Sequence, residues 1–502
     1  MTVANGTAVL VERRRPMVVA AVLIALALVG VASVRVHPTA TPSPSGRLAA
    51  MVDGLPGAVS SAWFCAGPLP TGTPGEASSL VIVNPGATTL RAAVTIIPVS
   101  GAVTTSKVAV PARSESVLGF ARFRQTSFAA ARVVVEGGGA EVVERVEGAA
   151  GLEVAPCAAR ATKTQYLATG GTRAGNDLAI ALYDPGATPA VASMSFATPT
   201  GPQTPPALQG VLVPVGRVVA LSIAHALPFR QFVSVTVTSS GGAVAAGALD
   251  IVGDRSANFD ALEGPVDAAA DRWFFAAAPA GAPVEQTFDL ENPGRRTAEI
   301  EIRLGGPSGV GEITLPLGPG ATTRYSPAAD ESKAAVRWAS VTSMNGEPIV
   351  AARELAVPSV LRVAAPRGRS AAVRRSRALW SLPSFPVGFT VDPGATGPAK
   401  SWIVAGGESG PRLSELVTVS NPSPRPVSVG VRSLSGPLAG LGLFTVPAGG
   451  SVVVDLADLA SASGRLPLRV MADEPVYVGG ELYSRVALTS PGLAALAAFP
   501  VG

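Results

Sequence analysis

The stretch Trp402-Ile403-Val404-Ala405-Gly406, with Asn421-Pro422 downstream, decides the fold because the chain repeats it. The same frame appears as Trp63-Phe64-Cys65-Ala66-Gly67 with Asn84-Pro85, as Tyr166-Leu167-Ala168-Thr169-Gly170 with Asp184-Pro185, and as Trp273-Phe274-Phe275-Ala276-Ala277 with Asn292-Pro293. Each copy reads as an aromatic-led apolar strand, a Gly/Pro loop, and a second strand ending at the Asn-Pro or Asp-Pro pair. Asn or Asp starts a turn by bonding forward to the backbone, and Pro presets φ at the next position. Gly86, Gly186 and Gly294 are expected to supply the positive φ of a type II turn. The strand that follows alternates, as in Ala93-Val94-Thr95-Ile96 or Val427-Ser428-Val429-Gly430-Val431. Period two predicts one buried face and one solvated face, as in an antiparallel sandwich.

A third shared feature lies further on, at Val110-Pro111, Val213-Pro214, Leu315-Pro316 and Val446-Pro447. A strand such as Ser451-Val452-Val453-Val454-Asp455 follows each. Two more strand-like runs close each copy; in the last they are Pro467 to Met471 and Pro475 to Tyr483. Roughly seven short strands in about 100 residues is the pattern of an immunoglobulin-like β-sandwich. The aromatic starts recur about every 100 to 130 residues, too far apart for solenoid repeats, so they read as whole domains in tandem. A single β-propeller is the alternative, with blades about twice the normal size.

The expected fold is therefore all-β: tandem immunoglobulin-like β-sandwich domains after one N-terminal transmembrane helix. The expected boundaries are a basic tail at 1–16, a membrane segment at 17–34, a linker at 35–60, sandwiches at 61–160, 161–265 and 266–358, an insertion at 359–400 rich in Arg, Pro and Gly, and a fourth sandwich at 401–502. The opening aromatic segment, the Asn-Pro-Gly about twenty residues on and the later Val-Pro turn resemble the repeats of a domain-of-unknown-function family of exported, N-terminally anchored actinobacterial proteins. That resemblance implies an envelope-exposed, β-rich protein and brings no catalytic residues with it.

Met17 to Val34 carries no charge and follows Arg13-Arg14-Arg15. Its length suits the hydrocarbon core of a bilayer, and basic residues before it place the N-terminus in the cytoplasm. A retained anchor, a cleaved signal peptide and a twin-arginine signal all export the remainder. Cys65 and Cys157 are the only cysteines, they bracket the first repeat, and an oxidising compartment would join them.

With 39 basic and 35 acidic residues and 5% aromatics, the chain lacks the clustered charge and stacking surface of a nucleic-acid binder. Two histidines and two cysteines cannot furnish a His/Cys metal site. No nucleophile elbow, phosphate loop or dinucleotide fingerprint is present. No catalytic residue, metal or cofactor is expected. Arg367, Arg369, Arg374, Arg375 and Arg377 in the insertion form a basic patch suited to an anionic envelope polymer or lipid headgroup, or else a solvated linker. The expected function is a non-catalytic extracytoplasmic structural or protein-interaction role in the cell envelope, with envelope proteins or polysaccharide as partners. The alternative is a binding module or assembly accessory for envelope polysaccharide.

Overall fold

A computed structural model describes residues 60–70, 77–120, 128–148, 151–168, 170–253, 258–276, 285–306, 309–327, 338–357, 388–410, 413–456, 459, 464–484 and 493–501. The membrane segment and the five insertion arginines, Arg367, Arg369, Arg374, Arg375 and Arg377, lie outside the described residues. Among those described, no helix is long and apolar enough to cross a membrane. The fold is all-β, as expected, and among the described residues Pro206–Leu208 is one short 3-10 turn.

Repeat 1 contains eight strands: β1 (Ser60–Pro70), β2 (Ala77–Asn84), β3 (Leu90–Pro98), β4 (Thr104–Val110), β5 (Ser114–Gly119), β6 (Phe128–Glu136), β7 (Glu141–Gly148) and β8 (Gly151–Pro156). They form two antiparallel sheets, ordered β1-β6-β3-β4 and β5-β2-β7-β8. Repeats 2 and 3 reproduce both orders strand for strand, over Thr164–Leu167 to Asn258–Glu263 and Arg272–Phe275 to Gly388–Asp392. Residues 388–392, counted with the insertion from sequence, are thus the eighth strand of repeat 3, paired to Val350–Val357. Repeat 4 departs from this plan: its first strand, Ala399–Ala405, also pairs with its last, Leu493–Pro500, and Glu408–Ser409 pairs with Gly464–Arg465 in a small extra sheet. The two runs expected as separate strands are one continuous strand, Leu468–Ser484, whose first half pairs with Val427–Ser433 and whose second half pairs with Leu413–Ser420.

The aromatic residue that opens each copy is a core plug in three of them: Trp63, Trp273 and Trp402 are 1%, 0% and 1% exposed. Burial of that degree leaves no ring face for stacking on a sugar. The indole N–H of Trp273 donates to Ile349 O at 2.9 Å and that of Trp402 to Val476 O at 3.0 Å. Tyr166 is half-buried.

The Asn-Pro turn is built differently from the type II turn expected. None of Gly86, Gly186 and Gly294 has a positive φ. Instead the side-chain oxygen of Asn84, Asp184, Asn292 or Asn421 accepts from the backbone N–H two residues on, at 2.7 to 2.9 Å. This is an Asx turn, which tolerates Ser423 where the other copies have Gly. In three copies the Asn amide also donates to the corner carbonyls: Asn84 to Val110 O, Asn292 to Leu317 O, Asn421 to Val446 O. The pairing corrects a register. The corner of repeat 3 is Leu317-Gly318-Pro319-Gly320, two residues beyond the expected Leu315-Pro316.

The outer sheet strands alternate as expected; β3 buries Ala92, Val94 and Ile96 and turns the residues between them outward. The inner sheet does not. From Leu80 to Asn84 and from Glu141 to Val146 every residue is buried, as is all of Leu413–Ser420. Burial on both faces turns a strand into a near-continuous apolar run, and here the second face is covered by neighbouring repeats.

Within the body Leu48–Gly502 the repeats contact one another in cyclic order. Ala66, Ile97 and Ala130 of repeat 1 pack on Ala181, Tyr183, Val218 and Ala245 of repeat 2. Ala168 and Ala261 of repeat 2 meet Val350, Ala352 and Val391 of repeat 3. Phe274 of repeat 3 stacks on Tyr477 of repeat 4 with centroids 3.6 Å apart. Repeat 4 then closes on repeat 1: Phe499 meets the edge of Trp63 at 6.0 Å, and the two cores form one apolar cluster. The eighth strands meet at the centre, where Thr390 Oγ1 donates to Glu153 Oε2 and accepts from Ala495 N, both at 3.0 Å.

Candidate functional site

Buried charge gathers at the end of the recurring aromatic motif in each repeat. There the first-strand ladder is interrupted, after Cys65 in repeat 1 and at the strand's end in the others, and the freed backbone groups need partners. Glu144 accepts from Gly67 N at 2.9 Å, Glu263 from Ala168 N at 2.5 Å, and Asp250 from Gly171 N at 3.3 Å. In repeat 3 the polarity reverses, and Arg353 donates to Ala276 O. In repeat 4 the donor comes from repeat 1: Arg145, 1% exposed, reaches Gly406 O at 3.4 Å and Glu408 Oε2 at 2.9 Å. Arg353 likewise bridges two repeats, pairing with Asp392 at 2.6 Å and facing Glu481 of repeat 4 at 3.9 Å. These charges serve the scaffold.

Cys65 and Cys157 are joined as expected, tying β1 to the segment after β8. The Glu144 carboxylate lies within 4.8 Å of both sulfurs. Sulfurs bonded to each other are not thiolate ligands, so this trio is not a metal site.

Burial raises several carboxyls. Glu144 and Glu481 are pushed up to about 8 and Glu291 to about 7, each chiefly by desolvation. Gly67 N, Arg353 and the Thr236 hydroxyl respectively pull back against it. On the seam between repeats 1 and 4, Glu115 rises to about 7 by burial, against the pull of Arg465 and Arg145. Glu415 beside it is raised by burial and by the Glu115 charge. Unfolded carboxyls titrate near pH 4.3, so between that value and pH 7 to 8 the folded chain binds more protons than the unfolded one. The stability these groups confer is complete below about pH 4.3 and is lost as pH rises through 7 to 8. The melting temperature is accordingly expected to fall between pH 5 and pH 8 at fixed ionic strength. Glu144→Gln and Glu481→Gln should each flatten that fall, and a slope unchanged in both would refute the assignment.

One cavity of this seam has a different character. A cleft of ≈ 420 Å³ is lined by Pro85, Gly86, Ala87 and Arg113 of repeat 1 and by Arg432, Ser433, Leu434, Ser435, Gly436 and Arg469 of repeat 4. Its three arginines come from a corner and from two neighbouring strands. None makes a salt bridge, and the buried Nε of Arg469 has no hydrogen-bond partner among the described residues. The Arg469 guanidinium is pushed below its ordinary value by burial and then by the Arg432 and Arg113 charges. Sequence reasoning missed this constellation because its members lie far apart in the chain. A signal was present nonetheless: at the corner, Val110-Pro111-Ala112-Arg113 stands against Val213-Pro214-Val215-Gly216 and Val446-Pro447-Ala448-Gly449.

No curated protein matches the chain. Among solved structures, a Streptomyces avermitilis α-L-rhamnosidase complexed with L-rhamnose is 10% identical over 90% of this chain and 44% of its own, with a TM-score of 0.15. A tetra-tandem repeat from the extending region of a large adhesion protein is 11% identical over 84% of this chain and 94% of its own, with a TM-score of 0.10. The chain thus spans less than half of the rhamnosidase, and at these TM-scores neither likeness bears on fold or activity. Residues 138–323, from the end of repeat 1 into repeat 3, match DUF5719, a family of unknown function.

Proposed function

We propose that this protein is a non-catalytic structural or protein-interaction component of the cell envelope, held in the membrane by its N-terminal segment with four immunoglobulin-like sandwiches outside. The observation that carries this reading is the Cys65–Cys157 disulfide, because such bonds form and persist in oxidising compartments. The use of buried charge supports the non-catalytic part. Glu144, Glu263, Arg145 and Arg353 are committed to backbone groups of the scaffold or to its seams.

Protease added to intact spheroplasts is expected to digest repeats 1 to 4 and leave a short N-terminal fragment in the membrane. Digestion only after lysis would overturn the location. A second reading, a binding module or assembly accessory for envelope polysaccharide, is favoured by the arginine-lined cleft alone, since an acidic glycan would find its counter-charge there.

A further inference from the structure

The three cleft arginines share one feature: each occupies a position at which the fold works against it. Arg113 has φ 51°, while its equivalents in the other repeats are Gly216, Gly320 and Gly449 at φ 66°, 63° and 60°. The equivalence is fixed by strand register: each lies two residues before the partner of the residue preceding the Asx, in the pairs Val83–Glu115, Tyr183–Val218, Glu291–Thr322 and Ser420–Ser451. A side chain in the left-handed region is strained, whereas glycine there is not. Arg432 stands directly opposite Arg469 across neighbouring strands. Like charges so placed destabilise a sheet, and the other repeats avoid it with Thr95 opposite Arg132, Ser195 opposite Thr236 and Arg303 opposite Ser340. In Arg469, finally, a buried Nε is left without an acceptor among the described residues. Unfavourable backbone conformations gather at ligand clamps, and here strain, repulsion and an unmet donor converge on one cleft.

We propose that the cleft between repeats 1 and 4 binds a small phosphate monoester, its phosphate held by Arg113, Arg432 and Arg469. A phosphate monoester carries a charge of about −1.5 to −2 and three strong acceptor oxygens, which matches three guanidinium groups better than a single carboxylate does. Arginine is the side chain suited to bidentate phosphate contact. The volume of ≈ 420 Å³ falls among small-molecule sites, which run from about 300 to 1,000 Å³, and leaves space for an organic part. Ser433 and Ser435 beside the arginines offer hydroxyls to a polyol or sugar, while Pro85, Ala87 and Leu434 give apolar wall. The assignment rests on the cleft and is independent of the cellular location proposed above.

The test is isothermal titration of the purified full chain at low ionic strength with glycerol 3-phosphate, inorganic phosphate and malonate. Saturable binding of glycerol 3-phosphate is expected, with the other two at least about 10-fold weaker. Arg469→Gln and Arg432→Gln should each weaken binding by about 10-fold or more, as the loss of a charge-assisted hydrogen bond requires. Arg113→Gly restores the residue of the other repeats. It should weaken binding while leaving the ligand-free melting temperature equal to or above that of the unaltered chain, a combination that a purely structural arginine would not give. Arg173→Gln, on an exposed turn of repeat 2, should change nothing. Absence of saturable binding, binding undiminished in Arg469→Gln, or equal binding of malonate or inorganic phosphate would each overturn the proposal.

Discussion

Replacing both cysteines, Cys65→Ala with Cys157→Ala, is expected to lower the free energy of opening repeat 1 by about 4 to 5 kcal/mol. The bond joins residues 92 apart in sequence, so it closes nearly the whole repeat into one loop. In the chain-entropy account the effect lies in the unfolded state, which regains the freedom that the cross-link denied it. It also acts at the interruption in the β1 ladder, where Glu144 accepts from Gly67 N. Without the bond, the far end of the repeat is held to β1 by the bridge between Phe64 and Ala158 and by packing. Hydrogen exchange of β2 and β7 amides, buried in the middle of the repeat, measures the change. Protection equal to that of the unaltered chain would show that the staple is redundant.

The repeat unit was legible because its parts are local. The aromatic plug, the Asn-Pro turn and the alternating strand each lie within a few residues, and the spacing of Trp63, Tyr166, Trp273 and Trp402 reports the period directly. The disulfide was legible by elimination, since only one pairing exists. Four things were not. Strands six and seven of repeat 4 run together because Ala472 to Val476 stay extended, although Pro475 reads as a break. The double burial of the inner sheets depends on surfaces contributed by other repeats, so Leu80 to Val83 looks the same whether its outer face meets water or a neighbour.

The buried charges were hidden by the same cause. Nothing local marks Arg145 in Glu141-Val142-Val143-Glu144-Arg145 or Arg353 in Val350-Ala351-Ala352-Arg353-Glu354 as buried. Both are 1% exposed, because the groups they satisfy, Gly406 O and Ala276 O, are brought to them by tertiary packing. The cleft follows the same logic, since Arg113 and Arg469 become neighbours only when repeat 4 closes on repeat 1.

Phe499→Ala is the second substitution of large expected effect, at about 3 to 5 kcal/mol for truncating a buried phenylalanine. Phe499 is 1% exposed, and its ring lies against the edge of Trp63 in the cluster shared by both repeats. The cavity it leaves opens onto repeat 1 as much as repeat 4. The loss should therefore appear in two places remote in sequence, the strand Leu493–Pro500 with its partner Ala399–Ala405, and β1 with β7 and β8.

The four repeats close on one another, with repeat 4 packed directly against repeat 1. Residue-resolved hydrogen exchange of the full chain carrying Phe499→Ala tests it most directly. Faster exchange in both β1 and Leu493–Pro500, with the interior of repeat 2 around Leu178 to Tyr183 much less affected, is the predicted result. Faster exchange confined to repeat 4, with β1, β7 and β8 protected as in the unaltered chain, would contradict the closure.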